Sequence, residues 1–367
     1  MKVSNRLLWR WGIVTLLAIV LLAGCSSGGS QPANTSSGGS AENASSGADA
    51  SSGSSSQEKA EPAKELTKVR LAVPHRTLFT VAPPIYVGIE KGFYAEEGIE
   101  VETLFTKGGG DTVQTVITGD VDIALETGPF AVMSSFLQGA PLQIISASTT
   151  GLDAYYYVKS DSPIQKLEDL SGKKIGFSSP GSSTDMTVRA INKVLTDQGL
   201  EPGQPEAVGS APDQLTAVLT GQIDSGWATP PFALQELQEG KVRVVVQGSE
   251  LEEYKNVAIR VNFANAKYVQ ENPETVEAFL RAHQKAWDWV FDNKEEAAAI
   301  WKEHGELKED VETLIGAFDM YSKEMVRLAP LDGVDRIVSD ALEFKFIEKA
   351  PTEEQLKQLI NLQYAPE

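Results

Sequence analysis

From Lys68 onward, short apolar runs alternate with amphipathic stretches, the pattern of an α/β body in which helices cover strands. The runs Val69–Val73, Val101–Phe105, Val121–Leu125, Leu142–Ala147, Ala154–Val158, Lys174–Phe177, Ile223–Trp227 and Val242–Val246 predict strands. Past Pro273 the periodicity is almost wholly helical. Ahead of this body, Ile13–Ala23 is an apolar run of 11 residues. That is well short of the roughly 18 to 20 needed to span a bilayer. From Ser26 to Ser56, 13 Ser and 6 Gly make up most of the 31 residues. Such a segment has too little apolar surface to offset the entropy of ordering, which predicts a flexible linker over residues 25–66.

The body contains an internal repeat. Asp111–Phe130 set beside Asp213–Phe232, at an offset of 102, gives eight identities in twenty: Asp111/Asp213, Val116/Val218, Thr118/Thr220, Gly119/Gly221, Asp122/Asp224, Thr127/Thr229, Pro129/Pro231 and Phe130/Phe232. Each copy reads as helix, glycine cap, strand, tight loop and next helix. Gly119 and Gly221 stand where a helix ends in a left-handed residue. Thr127 and Thr229 are expected as N-caps, with Gly128-Pro129 and Pro230-Pro231 in the first helical turn. Each repeat would then aim a helix N-terminus at the C-terminal edge of its sheet, the edge where open α/β sheets bind ligands. Two such edges facing one another make a cleft; alternatively, the shared residues serve only the fold.

Length and charge narrow the classes. The chain has 367 residues, more than one hydrophobic core usually organises, so two lobes are expected. A formal net charge of -19 excludes nucleic acid as a partner, because phosphate binding needs clustered Lys and Arg. One cysteine, Cys25, leaves no intrachain disulfide, no CxxC pair and no thiolate cluster. His75, His283 and His304 are far apart in sequence, and neither a metal site nor a cofactor is expected. Lys2, Arg6 and Arg10 ahead of the 11-residue apolar run read as an export signal over residues 1–24. The run ends in Leu22-Ala23-Gly24-Cys25, which resembles the lipobox of bacterial lipoproteins. That resemblance implies lipidation of Cys25, an extracytoplasmic location and anchoring to the cell membrane.

Ile85-Tyr-Val-Gly-Ile-Glu-Lys-Gly-Phe-Tyr-Ala-Glu-Glu-Gly-Ile99, Gly119-Asp-Val-Asp-Ile123 with Gly128-Pro129, the segment Ser162–Ile175, Ser179-Pro-Gly-Ser-Ser-Thr-Asp185 and Gly221-Gln-Ile-Asp224 resemble a known family. It is the substrate-binding proteins of the nitrate, taurine and aliphatic-sulfonate class of ABC importers, related in fold to thiamine-pyrimidine synthases. The likeness covers roughly residues 68 to 350. It implies a two-lobed type II periplasmic-binding-protein fold of the α/β class, with the ligand cleft between lobes. Lobe 1 would comprise 67–157 and 257–367, and lobe 2 158–256, with crossings near Tyr157 and Val257. The helix over Pro273–Phe291 would pack on the first lobe. The partners implied are a small solute, a membrane permease and, through the lipid, the membrane; the protein itself is expected as a monomer. Thr229-Pro230 ahead of Pro231 depart from the aromatic and acidic residues many relatives carry there, which weakens any transfer of ligand identity.

Candidate ligand contacts follow from these placements. Gly181, Ser182, Ser183 and Thr184 open a helix whose N-terminus favours an anion, or simply cap it. His75, Arg76 and Thr77 follow the first strand, so the Arg76 fork could reach the cleft to meet carboxylate or sulfonate. Glu126, beside Thr127 and Gly128, could receive an ammonium, and Arg76 with Glu126 would suit a zwitterion. Trp227, near Thr229, is placed to stack on a ligand or to pack in the core. Gly108-Gly-Gly-Asp111 lacks the Lys-Ser or Lys-Thr of a phosphate loop and reads as a flexible turn with a possible ligand contact. Neither a nucleophile elbow nor a histidine beside a nucleophile is present, so the reading is a non-catalytic receptor. The solute is expected to be a small anionic or zwitterionic organic molecule, with a pyrimidine thiamine precursor or an aromatic acid as alternatives. A ligand-sensing lipoprotein and a synthase-like enzyme remain further alternatives; the enzyme resemblance would call for a cysteine-rich segment and an intracellular protein.

Overall fold

The computed structural model describes residues 65–366; the export signal, Cys25 and nearly all of the proposed linker lie outside the described residues. Among the described residues there are ten strands: β1 Thr67–Pro74, β2 Ile99–Thr106, β3 Ile123–Thr127, β4 Leu142–Thr150, β5 Tyr155–Lys159, β6 Lys174–Phe177, β7 Gln204–Ala207, β8 Gly226–Ala228, β9 Val242–Gln247 and β10 Ala258–Asn265. One sheet has the order β2-β1-β3-β10-β4, with β1 parallel to β2 and β3, and β10 antiparallel to β3 and β4. A second, antiparallel sheet has the order β8-β5-β9, and β6 pairs with β7 in parallel. An Ile175–Ser225 bridge links the β6-β7 pair to the approach to β8.

The chain leaves the five-stranded sheet after Thr150 and enters the three-stranded one at Tyr155; it returns between Gln247 and Ala258. Tyr155–Tyr157 pair with both β8 and β9. Two strands were not predicted. β7 has exposed positions and a proline, and β10 interleaves Ile259, Val261 and Phe263 with Arg260 and Asn262. In β10 all but the last residue are buried, since it lies inside the sheet between β3 and β4.

The C-terminal helices close over the first sheet. Phe79 is buried among Trp287, Trp301, Phe318 and Tyr321, stacking on Tyr321 at 4.5 Å and meeting Phe318 edge-on at 4.8 Å. Burial of one such ring contributes about 1.5–3 kcal/mol, and this cluster fastens the helix Pro273–Asp292 to the chain after β1.

The repeat is visible in three dimensions, and most of its shared residues build the fold. Gly119 and Gly221 terminate the helices Gly109–Thr118 and Ala211–Thr220 with φ of 79° and 76°. Asp122 accepts from the backbone N–H of Arg70 at 2.9 Å, and Asp224 from that of Lys174 at 2.8 Å, so each ties the start of its strand to the neighbouring strand. The threonines behave otherwise than expected. Gly128, not Thr127, is the N-cap of the helix Pro129–Leu137, and Thr127 Oγ1 donates back to the Leu125 carbonyl at 3.2 Å. In the second copy no helix starts at Pro231; a short one begins at Leu234, after Ala233 in a left-handed conformation. Thr229 therefore caps nothing.

Candidate functional site

The C-terminal ends of β1 and β3, the centre of β10, the end of β8 and the start of the helix Ser183–Asp197 converge on one small polar cavity. Its lining includes His75, Gly109, Glu126, Gly128, Ser182, Ser183, Thr184, Trp227 and Arg260. Ser182 caps the helix by accepting from the Asp185 N–H at 3.2 Å, which leaves the Ser183 and Thr184 end of the helix against the cavity.

Arg260 organises the electrostatics. Its guanidinium, almost fully buried, donates from Nη1 to Asp153 Oδ2 at 2.7 Å and from Nε to Ser183 Oγ at 3.1 Å, with Glu126 Oε2 at 3.6 Å from Nε. Tyr321 also donates to Asp153 Oδ2, at 3.0 Å. Burial alone would oppose the charge on Arg260, but the carboxylates of Asp153 and Glu126 outweigh it and hold the guanidinium protonated. Glu126 sits at φ 54°, an uncommon conformation for a side-chain-bearing residue. Its carboxylate accepts from Ser148 and Thr149, and its N–H donates to Asn262 Oδ1 at 3.1 Å. Burial raises the Glu126 carboxyl above its ordinary value, against the opposing pull of Arg260. Burial likewise lowers His75 below its ordinary value.

Four buried polar atoms at or beside the cavity have no partner among the described residues: Asp153 Oδ1, Ser179 Oγ, Trp227 Nε1 and Thr229 Oγ1. Buried donors are nearly always paired, and an unpaired one costs about 1–3 kcal/mol. Trp227 itself is among the residues that line the cavity.

Loops after the strands approach closely here. A Cβ placed on Gly128 would lie 2.5 Å from the Gly181 carbonyl oxygen, and one on Gly181 would lie 3.0 Å from the Ala131 nitrogen. The Phe79 N–H also donates to the Pro230 carbonyl at 3.1 Å. The cavity left between them is about 30 Å³, roughly the volume of one water.

Of the residues singled out in the sequence, His75, Glu126, Gly128, Ser182, Ser183, Thr184 and Trp227 meet at this cavity. Arg76 does not: it is exposed and donates to the His304 carbonyl at 3.1 Å and to Glu306 at 3.2 Å, on the outer side of the first sheet's helical layer. A left-handed His75 turns the chain, so that His75 points in and Arg76 out. Thr77 serves through its carbonyl, which accepts from Trp301 Nε1. Thr127 and Thr229 are buried beside the cavity without lining it, and Gly181 packs on Ala131. Arg260 and Asp153 were missed; a lone arginine within an alternating apolar strand was the available signal. Among the described residues no group of three or more His, Cys, Asp or Glu is arranged to hold a metal.

The family model described as NMT1/THI5 like matches residues 80–297, more than half of the chain. The chain belongs to the NMT1/THI5-like family. Among curated relatives of this NMT1/THI5-like protein, the 4-amino-5-hydroxymethyl-2-methylpyrimidine phosphate synthase of Candida albicans is 24% identical over 252 residues, covering 63% of this chain and 68% of its own. The formylaminopyrimidine-binding protein of Halalkalibacterium halodurans is 23% identical over 222 residues, covering 59% and 64%. Among solved structures, the alkanesulfonate-binding protein SsuA of Xanthomonas axonopodis bound to MOPS superposes with a TM-score of 0.65 at 15% identity, over 83% of this chain and 99% of its own. That likeness shows the fold: a two-lobed α/β periplasmic-binding-protein architecture with its cleft between lobes.

Proposed function

We propose that this NMT1/THI5-like protein is the extracytoplasmic solute receptor of an ABC-type importer, capturing a small polar organic molecule by closure of two lobes. In this reading the first lobe is built on the five-stranded sheet with the C-terminal helices, the second on β5 to β9, and the two crossings are the hinge. The observation that carries it is the Arg260–Ser183 hydrogen bond, which joins β10 of the five-stranded sheet to the start of the helix Ser183–Asp197 beside a small polar cavity. Closure would bury the solute and present a changed outer surface to a membrane permease. The export signal and lipobox-like Cys25 read in the sequence favour a receptor over a synthase.

The cavity chemistry favours a zwitterionic or amino-bearing solute over a simple oxyanion. Glu126 and Asp153 face a single guanidinium, so the site offers no net positive charge. The amino group would lie toward Glu126, and an acceptor group toward Trp227 Nε1 and the Ser183–Thr184 end of the helix. An aminopyrimidine is the second reading, supported by the Trp227 indole in the cavity wall and by the printed names of the pyrimidine-related relatives.

Isothermal titration calorimetry with taurine, an alkanesulfonate, nitrate and an aminopyrimidine tests this. Saturable binding of taurine or the aminopyrimidine, lost in Arg260→Met and weakened roughly tenfold in Trp227→Phe, is the expected result. Binding of nitrate or the alkanesulfonate alone would overturn the solute class, and binding undiminished in both variants would overturn the site.

A further inference from the structure

A second cavity lies away from the cleft and shares no lining residue with it. It is larger, about 240 Å³, and is walled by Leu167, Ala190, Val194, Val246, Leu251 and Tyr254. Ala190 and Val194 stand midway along the helix Ser183–Asp197, whereas Leu251 and Tyr254 belong to the return crossing between the sheets. The one polar group among these six walls is already satisfied, since Tyr254 donates to Asp340 at 2.8 Å. The interior therefore suits hydrocarbon and would leave a buried polar group unpaired.

The rim has the opposite character. Glu250, Glu252 and Glu253 surround the mouth together with Lys193. Lys193 is paired with Asp197 at 3.0 Å, Glu252 with Lys255 at 3.7 Å, and Glu253 with Arg336 at 3.0 Å. Glu250 has no cationic partner among the described residues; it accepts only from the Gln247 N–H at 3.4 Å. An apolar chamber with one uncompensated carboxylate at its mouth selects a hydrocarbon body carrying a cation.

We propose that this solvent-open pocket is a second binding site, for a small primary ammonium with a short aliphatic body of about six carbons that its apolar walls would cover. Hydrocarbon burial supplies the affinity, and Glu250 supplies the preference for positive charge. The site is independent of the cleft solute.

Calorimetric titration of the whole chain at low ionic strength, with hexylammonium, hexanol and hexanoate as probes, tests the proposal. Hexylammonium is expected to bind about two- to fivefold more tightly than hexanol, as befits an exposed charge pair, and hexanoate more weakly than either. Glu250→Gln should bring hexylammonium to the affinity of hexanol. Ala190→Phe, and separately Val194→Phe, should fill the chamber and abolish binding of both, with circular dichroism confirming that each variant is folded. No saturable binding of hexylammonium, hexanoate binding as tightly as hexylammonium, or unchanged binding in the folded filling variants would overturn it.

Discussion

Gly128 and Gly181 bring the loops after β3 and β6 into close contact: a methyl group on Gly128 would stand 2.5 Å from the Gly181 carbonyl oxygen and 2.8 Å from the Ser183 nitrogen. Neither atom belongs to a flexible side-chain end, so the contact cannot relax locally. Gly128→Ala is therefore expected to oppose closure by about 1–3 kcal/mol, the usual range for overpacking. Solute affinity should fall about five- to 150-fold, while the unfolding midpoint of the ligand-free protein stays nearly unchanged. A calorimetric affinity equal to wild type would refute the closure role of this contact.

Arg260 holds two buried carboxylates in place. Removing the guanidinium leaves Asp153 and Glu126 uncompensated, which predicts a loss of about 3–5 kcal/mol for Arg260→Met in urea denaturation. Asp153→Asn in the same chain should recover part of that loss, because the stranded charge is then gone. Additive losses in the double variant would show that the two residues are not coupled.

Trp227→Phe separates binding from stability. The indole N–H is buried without a partner among the described residues, so deleting it relieves an unpaired donor and offsets part of the lost packing. Thermal stability should change little, and solute affinity should fall by roughly tenfold, about 1.4 kcal/mol. A large drop in melting temperature with intact affinity would assign Trp227 to the core alone.

His283 governs part of the acid response. It is buried against Tyr94, whose hydroxyl lies 2.9 Å from Nδ1, and burial lowers its pKa from 6.5 to about 4. The unfolded chain takes up the proton near pH 6.5, and the folded protein only near pH 4. The stability from neutral His283 is therefore fully present above about pH 6.5 and lost as pH falls toward 4, by about 3 kcal/mol. Urea midpoints at pH 7 and pH 4.5 should diverge less in His283→Gln than in the wild type. Equal divergence would assign the acid sensitivity to other groups.

The sequence by itself carried the α/β class, eight of ten strands, the repeat and its glycine caps. These depend on local periodicity and on backbone conformations that few residues adopt. It also placed His75, Glu126, Ser183 and Trp227 at strand ends or a helix start, where α/β ligand sites form. Only the tertiary structure decided that Arg260, not Arg76, serves the cavity, and that Thr127 and Thr229 are supports. Arg260 lies in a strand whose two neighbours, β3 and β4, precede it by more than a hundred residues in the chain. Arg76 is turned outward by the left-handed residue before it. Pattern reading assigns a polar residue in an alternating strand to solvent. When such a strand becomes the centre of a sheet, its polar side has no solvent to face, and the partners it meets are set by long-range packing.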